Sequence, residues 1–379
     1  MSEIKPNLKE VNLTIEALSG ICVGGGENEK YSSDEYVNDK GKIYFLNLMD
    51  IHDLVQKGKL TDNLACKLYG SGNLNGIFKG EIPEEIKSVE LKGNYENNLE
   101  IYRFAYNKKL TETGIVEVKT IMGSTIKGLI RHGFEIYNVE NVKYDFRRNT
   151  KDNKLLIKGL KSINNKEEKT SLRKFPKGGF ALRSYKCKDE FKYSVDKNFT
   201  DIIFRNSIFS DCELISGDFV IEKVESFSRT TDAFVIPAYY EIAEEGSVFK
   251  CKVQNKNIFN GKKEGNLSVI QVWYDDKTFI ELSMESLKKY YSRVIDLEEE
   301  YYKIPYDDGR IKSFYIKLRE ENDKPNQFVC KLGYSGAVSK TLMGYESENK
   351  DALLPYNLKY MSSSKLPFGW VKIKLGEKL

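Results

Sequence analysis

Residues 121–137 read IMGSTIKGLIRHGFEIY. Gly123, Ser124 and Thr125 open a run with helical period, in which Ile126, Leu129, Ile130, Gly133 and Tyr137 recur at spacings of three and four. Ser124 or Thr125 is a natural N-cap, and no Glu or Gln follows at the capping-box position. Lys127 occupies the first turn instead, where a cation opposes the positive end of the helix dipole. A bound anion reverses that penalty. Free backbone N–H groups, the two hydroxyls, Lys127 and Arg131 one turn later can all face one phosphate. The order Lys127-Gly128 is not that of a nucleotide-binding P-loop. The competing reading is a capped amphipathic helix packed on a sheet, with its lysine in water.

Outward from this turn, the chain reads as strands broken by a few helices. Upstream, Val11, Leu13, Ile15 and Ala17 alternate within 9–18, a half-buried strand that runs into Gly24, Gly25 and Gly26. A strand is expected over 43–46, and a short helix carrying His52 over 49–56, ended by Gly58. Strands over 101–106 and 115–119 lead into the central turn. Downstream, strands are expected at 202–209, 218–225, 235–241, 248–253 and 366–375, and the longest helix at 280–303. This order predicts an α+β fold with mostly antiparallel sheets.

The 379 residues suffice for two domains. The 40% apolar content supports a core, and the 31% charged content predicts a wet surface. No run approaches the roughly 18 apolar residues of a membrane span, and the charged start, MSEIKPNLKE, has no secretory pattern. A cytoplasmic protein without membrane attachment is expected. The six cysteines, at 22, 66, 187, 212, 251 and 330, form no C-x-x-C pair and read as reduced and mostly buried. With two histidines, His52 and His132, a histidine-based metal site is not expected, nor is any cofactor.

Net charge is +4, yet residues 141–200 hold 17 Lys/Arg against 7 Asp/Glu, a net of +10 that leaves −6 for the rest. A local excess of this kind points to a polyanion. It contains Arg147 and Arg148. Within 169–185, KTSLRKFPKGGFALRSY, Arg173, Lys174, Lys177 and Arg183 interleave with Phe175, Phe180 and Tyr185. Cations follow a phosphate backbone and rings stack on unpaired bases, so the pattern favours RNA or single strands over duplex DNA. A solvated charged insertion is the alternative.

Several stretches together resemble a known family: LTIEALSGICVGGGE, DEYVNDKGKIYFLN, IMGSTIKGLIR, FRNSIFSDCEL, RTTDAFVIPAYYEIAEEGSVF, KLGYSGAVSKT and LPFGWVKIKL. In this order they resemble the RAMP superfamily of type III CRISPR–Cas systems, and more narrowly the fifth-subunit family of type III-A (Csm) effector complexes. The family's glycine-rich Pro-Gly-Ser-Ser-x-Lys-Gly-x-x-Arg motif is matched by Gly123, Ser124, Lys127, Gly128 and Arg131. The 366–370 segment LPFGW resembles the fifth subunit rather than the repeated backbone subunit. Three positions depart from the family pattern. Cys22 to Gly26 stand where His-Ile-Gly-Ser-Gly is usual, Met122 replaces the proline, and Asn206 replaces a frequent aspartate. No histidine role carries over at residue 22.

The resemblance implies two ferredoxin-like (RRM-like) domains with a β-hairpin thumb insertion. The first spans 1–255 with the basic insertion at about 141–200, and the second, degenerate one spans 256–379. It implies an RNA-binding subunit without catalytic residues, placed at the 3′ part of the crRNA at the end of the backbone filament. It also implies a role in crRNA maturation for antiviral defence. Expected partners are crRNA, target RNA, other Csm subunits, above all the backbone RAMP subunit, and host nucleases. RNA contacts are expected at Gly24, Gly25, Gly123, Ser124, Thr125, Lys127, Arg131, Arg147, Arg148, Arg173, Lys174, Arg183 and Arg229.

Two alternatives come from other classes. A RAMP-family endoribonuclease needs a His, Lys or Asp poised at a 2′-hydroxyl, and His132 beside the turn is the best candidate. Packing within the helix is its competing role. Asp201 and Asp211 flank a strand and can serve metal-dependent cleavage, although aspartates at strand ends are usually turn residues. The repeated backbone subunit is the other alternative.

Overall fold

The computed structural model describes residues 8–24, 30–31, 35–39, 41–46, 48–71, 82–83, 86, 88–92, 100–111, 114–141, 204, 207–256, 279–302, 309–335, 354 and 357–378. The basic stretch expected at 141–200 lies outside them, apart from Asn141.

The first sheet is antiparallel and built around β1 (Leu8–Ala17), with Val11, Leu13, Ile15 and Ala17 buried as their alternation requires. β1 pairs on one side with β13 (Val248–Lys256) and on the other with β16 (Trp370–Lys378), in registers Ile15 to Phe249 and Ile15 to Ile373. The sheet continues from β16 to β14 (Gln327–Lys331). From β13 it continues through β10 (Cys212–Ser216) and β8 (Gly114–Ile121) to β7 (Tyr106–Thr111), with β9 (Ser207–Phe209) beside β13. Strands near the two ends of the chain therefore share one sheet.

The second sheet is mixed. Its centre is the long hairpin of β11 (Phe219–Ser228) and β12 (Ala233–Ala243). β5 (Ser88–Lys92) joins β11 in parallel and β15 (Asn357–Met361) joins it antiparallel. β6 (Ile101–Tyr102) joins β12 in parallel and also pairs with β2 (Lys30–Tyr31). β3 (Tyr36–Asp39) and β4 (Lys42–Phe45) extend the edge beyond β5. The α+β class holds, with both antiparallel and mixed sheets.

Two short helices, α1 (Leu48–Gln56) and α2 (Asp62–Ser71), lie near the second sheet's edge, where Leu54 and Ile51 bury against Val37 and Leu46. α3 (Gly123–Asn141), α4 (Phe279–Tyr302) and α5 (Gly309–Asp323) pack into the main core with both sheets. Ile126, Leu129 and Ile130 of α3 bury as the three-and-four spacing demands. At Gly133 a Cβ would come within 2.6 Å of Leu287 of α4, so the glycine lets the two helices close. Among the described residues no helix is long and apolar enough to cross a membrane. Among the described residues five cysteines are free, and Cys22, Cys212, Cys251 and Cys330 are buried.

The expected strand over 101–106 divides into β6 and β7 around buried Arg103, Phe104 and Ala105. The expected strand at 202–209 is described only at Ser207–Phe209, while Phe204 is helical. α5, β10 and β15 arise in stretches the sequence reading leaves unassigned, and β5 forms within 70–98, where the Gly, Asn and Lys content reads as loops around short helices. In α5 the apolar Ile311, Phe314, Tyr315 and Leu318 do keep helical spacing, diluted by charge.

Candidate nucleic-acid interface

At the start of α3 the chain supplies its own anion. The Gly123 N–H donates to Asp211 Oδ1 at 2.7 Å, and Asn107 Nδ2 holds Oδ2 at 2.7 Å. The carboxylate thus satisfies the first orphan donor and the dipole together. The Thr125 N–H donates to the Met122 carbonyl at 2.9 Å. Gly123 is required by close approach to protein backbone. A Cβ there would overlap the Phe209 carbonyl oxygen and lie 2.7 Å from that of Ser210. The donors expected to be free for a phosphate are therefore partly engaged, and the approach inferred for a ligand is made by the turn between β9 and β10.

Lys127 Nζ donates to the Ser207 carbonyl at 3.0 Å. Burial, and then the neighbouring Arg131, hold its pKa below the ordinary lysine value. Ser124 and Gly128 are exposed, and Arg131 is half-buried. His132 is 7% exposed, set edge-on to the Tyr290 ring at 5.7 Å in the α3–α4 interface. Desolvation pushes its imidazole down to about 4, so it is neutral at pH 7. Of the two aspartates weighed for cleavage, Asp211 is the helix cap and Asp201 lies outside the described residues. Among the described residues no group of three His, Cys, Asp or Glu side chains is placed to hold a metal ion.

The other expected RNA contacts are scattered. Arg229, at the end of the β11–β12 hairpin, lies 4.5 Å over the Tyr301 ring of α4. Gly25, Arg147, Arg148, Arg173, Lys174 and Arg183 are outside the described residues. Gly24 follows β1 and abuts Tyr334, whose hydroxyl a Cβ would overlap. This contact leads to a cluster that sequence reading missed.

Tyr102 of β6 stacks on Tyr240 of β12 with centroids 4.8 Å apart and planes 14° apart. Tyr334, in the 3-10 turn Gly333–Ser335 after β14, is tilted against them at 5.2 and 5.6 Å. Gly333 takes φ +67° and its neighbour's N–H reaches the Cys22 carbonyl at 3.1 Å, which joins the two glycine turns. Lys359 of β15 places Nζ 2.8 Å from the Tyr240 hydroxyl, 4.9 Å over the Tyr240 ring and 5.8 Å from that of Tyr334. Burial lowers its pKa to about 8.

Nearby buried and half-buried cations are treated differently. Lys331, 4% exposed, pairs with Glu298 at 2.6 Å, and that carboxylate also accepts from Tyr315 and the Trp370 indole. Lys119 pairs with buried Glu241 at 2.6 Å, and Arg103 pairs with Glu117 at 2.7 Å. Lys359 has no carboxylate within ion-pair distance among the described residues. Residues 102, 240, 334 and 359 are far apart in the chain, and no local pattern announces their meeting.

No protein-family model matches this sequence, and no curated protein matches it either. Among the solved structures that share the fold across nearly the whole length are two of type III-A proteins. One is a chain of the Csm–crRNA–target RNA ternary complex of a type III-A CRISPR–Cas system, seen by cryo-EM. It has TM-score 0.58 and 15% identity, with 97% of this chain and 100% of that one covered. The other is the crystal structure of T. onnurineus Csm5, with TM-score 0.59 and 14% identity, covering 94% and 99%.

Proposed function

We propose, from a chain that carries the fold of Csm5, that this protein is a non-catalytic RNA-binding subunit of a type III-A CRISPR effector complex. In this reading it caps the filament at the 3′ part of the crRNA and supports crRNA maturation in the cytoplasm. The observation that carries the reading is fold correspondence over 97% of this chain and 100% of a chain in a crRNA-bound complex. Separate support comes from the net +10 of residues 141–200. Two ferredoxin-like domains, 1–255 and 256–379, with a thumb hairpin, belong to the same proposal, as do the backbone RAMP subunit and host nucleases as partners.

The non-catalytic assignment draws on geometry. His132 is neutral and packed between helices, and both oxygens of Asp211 hold structural donors. At the central turn, RNA contact falls to side chains, with Ser124 exposed and Lys127 and Arg131 half-buried. The basic stretch supplies the longer electrostatic track through Arg147, Arg148, Arg173, Lys174 and Arg183.

Co-expression with the remaining Csm subunits and a crRNA, followed by native mass measurement, tests the assignment. One copy per complex, with loss of mature crRNA when the chain is omitted, is the expected result. Several copies that follow crRNA length would make it the backbone subunit. RNA cleavage abolished by Asp201→Ala or His132→Ala would make it a ribonuclease.

A further inference from the structure

We propose that Cys212 and Cys251 are a redox modification site, at which a peroxide joins the two thiols in a disulfide that staples β10 to β13. The inference goes beyond the RNA-binding reading and does not depend on it.

The two cysteines meet by register. Glu213 pairs with Lys250 and Leu214 with Phe249, so one step back along the same rungs Cys212 faces Cys251. On the other side Phe209 pairs with Val253. There the Ser210 N–H donates to the Lys252 carbonyl and the Lys252 N–H donates to Ser210 Oγ, each at 2.9 Å. Residues 210–212 therefore oppose only 251–252, and Asp211 is the extra residue of a β-bulge. Without the bulge the register would slip by one, and the residue 212 side chain would turn to the other face.

Cys251 shares the inner face of β13 with Phe249 and Val253, and Cys212 is buried with them in the main core. Both thiols are free, and that of Cys212 is hydrogen-bonded to that of Cys251. Directly opposed residues in an antiparallel pair have Cα atoms about 4.5–5.5 Å apart, inside the roughly 4.4–6.8 Å that a disulfide spans. The bond therefore needs little backbone movement. Other buried cysteines lack this arrangement: Cys22 donates to the Arg103 carbonyl at 3.8 Å, and Cys330 stands opposite Val371.

The attacking form is the thiolate. The hydrogen bond to Cys251, and then burial, push the Cys212 thiol far above its ordinary range, so the closed fold reacts slowly. β10 is five residues long and pairs with β8 at two positions, so its local opening gates the reaction. One thiolate then attacks the O–O bond of hydrogen peroxide, which gives a sulfenic acid and one water. The second thiol attacks that sulfur and expels a second water. Two thiols lose two electrons and two protons, and the peroxide takes up both. The bulge residue beside Cys212 is Asp211, whose carboxylate accepts from the Gly123 N–H, so the staple also holds the cap of α3 in place.

The test uses the full chain carrying Cys66→Ser and Cys187→Ser, which removes an exposed thiol and one outside the described residues. It is incubated with hydrogen peroxide in sub-denaturing urea, quenched with iodoacetamide, returned to buffer and mapped without reduction. A Cys212 peptide linked to a Cys251 peptide is expected, with a melting temperature higher by about 5 °C that dithiothreitol reverses. Adding Cys251→Ala should abolish both the link and the shift. If both thiols stay free, or are oxidised to unlinked sulfinic acids, the pair is core packing and the site is refuted. A link without a rise in melting temperature would refute the staple. Should Cys251→Ala fold poorly, the peptide map and melting curve of the parent chain decide.

Discussion

Two glycine turns bracket the core, and they serve opposite purposes. At Gly123 the backbone comes close to the Phe209–Ser210 carbonyls, and the exposed end of α3 is met by Asp211. At the second, Gly24 abuts the Tyr334 ring and Gly333 abuts the Cys22 carbonyl, beside a lysine that no carboxylate neutralises among the described residues. A glycine reports that something approaches closely, but not whether that something is the chain itself. The surrounding charge distinguishes the cases: an anion already in place at the first turn, a cation left without one at the second.

The largest effect expected at the first turn is steric. Gly123→Ala should destabilise the free protein by about 3–5 kcal/mol, since the nearby atoms are backbone and cannot rotate away. Chemical denaturation measures it, and a loss under about 1 kcal/mol would break the claim that this turn is packed for structure.

Next comes acid sensitivity. His132 is held at about 4 when folded, against about 6.5 unfolded, so the folded state binds fewer protons between those values. Stability should therefore fall as pH drops from 6.5 towards 4, by up to about 3 kcal/mol. His132→Leu should remove that component. An unchanged pH dependence would place the imidazole outside the α3–α4 interface.

Asp211→Ala should cost about 1–2 kcal/mol through loss of the cap and its hydrogen bond to Asn107. Calorimetry at pH 7 measures this, and no loss would leave the helix start free for an external anion.

The second turn should respond with the opposite sign. Lys359→Met should raise stability at pH 7 by about 1 kcal/mol, because it removes a desolvated charge. The folded pKa, about 8, lies below the unfolded value, so wild-type stability climbs as pH rises from about 8 to 10.5. The variant's advantage should shrink over that window. Tyr240, Tyr334, Cys22 and Lys331 are the titratable groups around Lys359, and burial holds Tyr240 and Cys22 neutral beyond their ordinary ranges. A melting series across pH 7–10.5 checks the trend, and destabilisation at pH 7 would mark the lysine as a structural strut.

Much of the framework was legible from periodicity. The alternation Val11, Leu13, Ile15, Ala17 placed β1, and the spacing of Ile126, Leu129 and Ile130 placed the core face of α3. The central strand of the first sheet is recognisable because its two faces differ. β15 and β10 are short and their burial is mixed, so their alternation carries little signal. The central turn was legible as a helix start, but Ser124 and Thr125, expected as its cap, lie inside α3, and the capping carboxylate of Asp211 is 88 residues away. The tyrosine–lysine cluster was not legible at all. Its members come from β6, β12, β15 and the turn after β14, brought together by two sheets whose strand order the sequence does not announce.

The difference between the turns is tested most directly by denaturing Asp211→Ala and Lys359→Met side by side at pH 7. Asp211 already caps the start of α3, whereas Lys359 lacks a counter-charge among the described residues. The expected result is a loss of about 1–2 kcal/mol for Asp211→Ala and a gain of about 1 kcal/mol for Lys359→Met. A stability untouched by Asp211→Ala and lowered by Lys359→Met would contradict the account and return the anion site to the start of α3.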